Sequence, residues 1–154
     1  MRTVALFLML SAASWQTIDF NGLFTFRLPA GFAQKEGTKP DDLRAEYHKG
    51  QTKLVVVWGS ASVAYGRRRQ DWMHDYRESV TRIRGLRANI RRYSEGAGTK
   101  RAYRAELNVG NWEKGEVKLS MRMETNDPAM LEVAEQIFSS VSFPLPSPER
   151  SPDL

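Results

Sequence analysis

The sequence predicts an α+β domain, an α-β-α sandwich in which an antiparallel sheet of about six strands is flanked by two main helices. Three observations predict it. Short β-rich runs alternate with Gly, Pro and Asn turn signals. Two stretches carry apolar residues at helical spacing. The chain has 154 residues, 41% hydrophobic and 27% charged, which is enough for one domain with a core and too little for two.

The first element is an export leader. Met1-Arg2 gives a positive start, Val4 to Leu10 is apolar, and Ser11-Ala12-Ala13-Ser14 supplies the small residues of a cleavage site. Residues 1–14 therefore read as a signal peptide cut near Ala13 or Ser14. A run this short cannot span a bilayer as a helix, which takes ~20 residues. The competing reading makes Thr3 to Leu10 a core strand.

From Trp15 the chain alternates to Phe20, turns at Asn21-Gly22 and runs on as Leu23 to Leu28. Leu28-Pro29-Ala30-Gly31 reads as a turn and Ala33 to Asp42 as a polar loop. Leu43–His48 and Thr52–Trp58 read as two strands joined around Lys49-Gly50-Gln51. Leu54 to Trp58 is continuously apolar, as in a central strand. A helix is expected from Arg67 to Arg84, where Trp72, Tyr76, Val80 and Ile83 recur at spacings of four and three before Gly85. Ala88–Glu95, Arg101–Val109 and Glu116–Glu124 read as three antiparallel strands. A second helix starts at Asp127-Pro128 with Met130, Ala134, Ile137, Phe138 and Val141 inward. The domain spans 15–143, and 144–154 is a Pro-rich tail expected to be disordered.

Three blocks carry a resemblance: Phe24-Thr25-Phe26-Arg27-Leu28-Pro29-Ala30-Gly31-Phe32, the run Gly98 to Arg104, and the closing stretch Glu132 to Phe143. In order and local sequence, residues 22–143 resemble the PsbP/DcrB-like superfamily of small extracytoplasmic domains. The resemblance implies an antiparallel sheet with helices on both faces, and a protein that binds partners instead of catalysing a reaction. It transfers no functional motif. Lipoprotein members carry a cysteine after the leader; this chain has none, so release into the periplasm or medium is expected.

The absence of cysteine excludes disulfides, thiolate metal sites and cysteine nucleophiles, and two histidines, His48 and His74, exclude a multi-histidine metal centre. No nucleophile motif lies near either histidine. Gly96-Ala97-Gly98 precedes a strand, so it lacks the helix N-terminus of a phosphate loop. Asp71, His74, Asp75 and Glu78 share one face of the expected helix, which reads as a salt-bridged surface facing water. No enzyme activity, cofactor or metal is expected; a hydrolase is the remote alternative.

Charge is the distinctive feature. Residues 67–104 hold twelve Arg or Lys against four acids, within a chain of net charge +5. Such asymmetry suits an anionic partner such as lipid headgroups, an acidic protein or nucleic acid. The candidate binding residues are Arg84, Arg87, Arg91, Arg92, Arg101 and Arg104, with Trp112 in a hairpin loop as an aromatic contact. The sequence thus predicts a secreted or periplasmic binding or accessory domain whose partner is a protein or envelope component, with docking through the Arg67–Arg104 face as the alternative reading.

Overall fold

The computed structural model describes residues 15–59, 70–111, 114 and 116–144. The expected leader, Arg67 to Arg69, Trp112 and tail residues 145–154 lie outside the described residues. Within them the chain forms nine strands and one α-helix: β1 (Trp15–Phe20), β2 (Phe24–Pro29), β3 (Ala33–Gln34), β4 (Arg44–Lys49), β5 (Thr52–Trp58), β6 (His74–Ile83), β7 (Leu86–Glu95), β8 (Ala102–Asn111), β9 (Glu116–Thr125) and α1 (Met130–Ser139).

Strands β3 to β9 make one seven-stranded sheet in the order β3-β4-β5-β9-β8-β7-β6, and every neighbour is antiparallel. After β5 the chain reaches the far edge as β6 and then meanders back. β9 therefore closes onto β5, which fits the apolar run Leu54 to Trp58 within β5: a central strand with two partners. β1 and β2 form a separate hairpin beside α1, tied to the chain after the helix by reciprocal Thr25–Ser142 backbone bonds of 2.9 Å.

Strand alternation sorts the sheet into two faces. Leu54, Val56, Leu107, Val109, Leu119, Met121 and Met123 point to one side. There Phe20, Phe24, Phe26 and Leu28 of the hairpin, with Ala134, Ile137 and Phe138 of α1, close a continuous core. Phe24 stacks on Phe20 at 4.8 Å and on Trp58 at 5.6 Å, and Phe26 meets Tyr47 edge-on at 5.9 Å. The helix begins at Met130, beyond the expected Asp127-Pro128: Asp127 Oδ1 accepts the Ala129 amide proton (3.0 Å) in the turn before it, and the N-cap Ala129 has no side-chain capping bond.

Two expectations are corrected. No helix forms over Arg67–Arg84 among the described residues; His74–Ile83 is strand β6 instead. The apolar spacing of Trp72, Tyr76, Val80 and Ile83 resembled a helix, but Ser79-Val80-Thr81-Arg82-Ile83 is rich in β-branched residues, which lose rotamer freedom in a helix and fit a pleated strand. Arg84 and Gly85 both take positive φ (51° and 77°), the geometry of a two-residue turn that feeds β6 straight into β7. Gly85 thus turns a hairpin; it does not stop a helix.

The second correction follows from the first. The described chain is mostly β, with helix α1 and the β1–β2 hairpin on one face only, so the α-β-α sandwich of six strands between two helices does not form. The helix on the opposite face, which the PsbP/DcrB-like resemblance implied, is not among the described elements.

Candidate functional site

The face opposite α1 is polar, and its centre is buried. In register across the strands run Glu46, Val55, Arg122, Glu106, Arg91 and Glu78. Carboxylates and guanidiniums alternate over the last four. Glu106 has no exposed surface and Arg91 retains 4%. The Arg91 guanidinium grips one carboxylate oxygen of Glu106 through Nε (2.6 Å) and a terminal nitrogen (2.5 Å). The other oxygen accepts from Arg122 Nε (3.0 Å), an Arg122 terminal nitrogen (2.9 Å) and the Tyr93 hydroxyl (3.1 Å).

These contacts set the local protonation. Burial works against the Arg91 charge, but the Glu106 carboxylate outweighs it and the Arg91 pKa is raised. Burial pushes the Tyr93 hydroxyl up to about 12, with the Glu106 charge adding to it. Tyr76 is raised likewise by burial and by Glu78, to which it donates a 2.5 Å hydrogen bond.

Toward the β4 edge the same face carries a second cluster. Glu46 is bonded by Arg44 (2.9 Å), His48 Nε2 (3.2 Å) and Lys35 (3.4 Å). Its burial alone would raise the carboxyl pKa; hydrogen bonds from His48, Arg44 and Lys35 outweigh that and hold it down at about 2. Flanking Glu106 on β8, Asn108 Oδ1 accepts from Ser120 (2.9 Å), while Asn108 Nδ2 and Arg104 Nε are buried without a hydrogen-bond partner.

The sequence-predicted basic residues are dispersed by the same alternation. Arg91 faces the polar side inside the Glu106 cluster; its neighbour Arg92 faces the α1 side and pairs with Glu132 (2.8 Å) and Glu135 (3.5 Å). Arg104 pairs with Glu95 and with Glu124 (3.5 Å). Arg101 follows the β7–β8 turn, half-buried. Arg84 and Arg87 are exposed at the tip of the β6–β7 hairpin. Trp112 lies outside the described residues, but Asn111 and Glu116, which bracket its loop, sit at the same end of the sheet as that tip.

The tip has a further peculiarity: Arg82 and Arg87 stand directly opposite each other across β6 and β7, with Arg84 between them in the turn. Like charges in directly opposed positions repel. Lys114 and Lys118 are exposed at the same end of the sheet. Among the described residues, this end thus presents five exposed cations, Arg82, Arg84, Arg87, Lys114 and Lys118, with the exposed acid Glu116 among them.

The acid and imidazole set expected on one helical face is taken apart by the strand. Asp75 sits at a left-handed bulge (φ 51°), and Glu78 bonds Tyr76 and Asn89. Among the described residues, no three His, Asp or Glu side chains converge as a metal site, and no hydroxyl hydrogen-bonds either imidazole. Two open grooves flank the sheet. One beside α1, about 420 Å³, is lined by Arg77, Ser79, Ile90, Arg92 and Glu135; the other, about 590 Å³, by Trp72, His74, Glu95, Lys100 and Ala102.

Sequence reasoning missed Glu106, Arg122 and Tyr93 as a unit. The available signal was the period-2 placement of charged residues within runs already read as strands; register was the missing piece. Compared with known proteins, the chain matches no family model and no curated protein.

Proposed function

We propose that this chain is an exported, non-enzymatic binding or accessory domain, similar to PsbP/DcrB-like domains, that docks the β6–β7 end of its sheet onto an anionic surface such as lipid headgroups. The observation that carries the reading is the opposed Arg82–Arg87 pair with Arg84 beside it. An anion laid across the tip offsets the repulsion between the pair, and guanidinium forks match phosphate oxygens. Arg91, Arg92 and Arg104 pair with carboxylates instead and lie away from this tip.

The test is co-sedimentation of the full chain with phosphatidylglycerol vesicles and with phosphatidylcholine vesicles. Binding is expected only to the anionic vesicles, falling steeply as salt rises and lost in the R84S/R87S double variant. Equal binding to both lipids, or binding indifferent to salt, refutes the reading. If neither vesicle binds, an acidic protein becomes the partner to seek. Export has its own check: the intact mass of the protein recovered from the periplasm should correspond to a chain beginning near Ser14 or Trp15.

A further inference from the structure

The far edge of the sheet carries a further inference, which shares Arg82 with the anion reading but rests on the open edge of strand β6. Strand β6 is ten residues long and exposed along almost its whole length, and among the described strands none pairs with its outer side. Val80, at its middle, is 56% exposed, an aliphatic side chain in water. Long open edges invite another strand, and monomeric proteins blunt them with charges or bulges. Here the bulge lies at one end, between His74 and Arg77, leaving Arg77 to Ile83 as a regular seven-residue segment. Val80 is its centre.

We propose that β6 pairs with β6 of a second copy, antiparallel and about a two-fold axis at Val80, so that one sheet runs through both copies. The backbone favours this register. Ile83 and Leu86 flank the two-residue turn and form a hydrogen-bonded pair, so residues 83, 81, 79 and 77 aim their N–H and C=O groups at β7. Residues 78, 80 and 82 aim theirs outward. A two-fold axis at Val80 sets Val80 opposite Val80 of the partner copy and Glu78 opposite the partner's Arg82, with Arg82 opposite the partner's Glu78. All outward groups are thereby matched.

The side chains select the same register. All three positions lie on the polar face, so the pairing makes one Val–Val contact flanked by two Glu–Arg pairs, and Ser79 meets Thr81 on the other face. Moving the axis to residue 78 opposes two glutamates, and moving it to residue 82 opposes two arginines. The added carboxylate also sits beside the opposed Arg82 and Arg87.

Sedimentation equilibrium of the full chain tests this, each variant first being shown to keep the wild-type circular dichroism. The wild type should approach twice the mass of the chain as concentration rises. R82E and E78R should each weaken association by about tenfold, roughly 1.4 kcal/mol, since two like-charge oppositions replace two attractive ones. An equimolar mixture of the two variants should associate again, because every clash then meets the opposite charge. If E78R fails to fold, having lost its bonds to Asn89 and Tyr76, R82E and V80K carry the test, and both should associate more weakly than the wild type. A wild type that stays monomeric to about 1 mM, or association that R82E leaves unchanged, overturns the proposal. Loss of vesicle binding in R84S/R87S with association intact would separate this surface from the anion site.

Discussion

Leu107 and Glu106 are neighbours on β8, and both are fully buried, yet they are held by opposite physics. Leu107 points into the aromatic and aliphatic cluster under α1 and is stabilised by leaving water. Glu106 points the other way and is tolerated only because two guanidiniums and a phenol surround it. Burial on the first face is favourable whatever the neighbours. Burial on the second is conditional on every partner being present.

That contrast can be broken most severely at Glu106. E106L leaves Arg91, with 4% of its surface exposed, as a buried charge without its carboxylate, and should cost about 3–5 kcal/mol in urea unfolding. The comparison sharpens if Arg91, Glu106 and Arg122 are replaced together by Met, Leu and Met. Removing the whole triad abolishes the unpaired charge, so the triple variant should recover most of that loss. If it is as unstable as E106L, the cluster contributes more than mutual compensation. On the other face L107A should cost about 2–5 kcal/mol by opening a cavity, and no second substitution nearby should restore it.

The pH dependence separates the two faces as well. The folded Glu46 carboxyl titrates at about 2 against its ordinary 4.5, so the unfolded chain takes up the proton first. Its stabilising contribution is complete above about 4.5 and disappears as the pH falls through about 2. Urea midpoints measured across this window should decline, and E46Q should flatten the decline. A variant confined to the apolar face, such as L107A, should lower the whole curve without changing its slope.

The two faces also differed in how far they were legible in the sequence. The apolar one was read nearly whole. Val117, Leu119, Met121 and Met123 alternate along β9, Leu54 to Trp58 of β5 is a continuous apolar run, and Asp127-Pro128 lies in the turn just before α1. The polar face was hidden because its meaning lies in register: Glu106 meets Arg91 and Arg122 only once β8 is aligned between β7 and β9. The cations of residues 67–104 were pooled as one surface, although consecutive residues such as Arg91 and Arg92 must point to opposite sides of a strand. Edge strand β6 was misread because it buries little. With Val80 exposed and Tyr76 half-buried, Ile83 alone of its aliphatic and aromatic residues packs against the core, and a chance spacing of four, four and three stood in for a helical period.

The mildest test lies at the rim, where the apolar face meets water. Arg92 reaches from β7 to Glu132 and Glu135 on α1, and this hydrogen bonding raises its pKa, as contact with Glu106 does for Arg91. Its partners, however, are exposed to 66% and 40% of their side chains. Water can therefore take over from either member, and R92A should cost no more than about 1 kcal/mol. Arg91 and Arg92 are the same residue type, adjacent in one strand and each paired with carboxylate. R91A should nevertheless approach the cost of E106L, because it strands Glu106 with only Arg122 and Tyr93 in a site without solvent. Equal losses for R91A and R92A would mean that water reaches Glu106 and that the conditional character of the polar face is wrong.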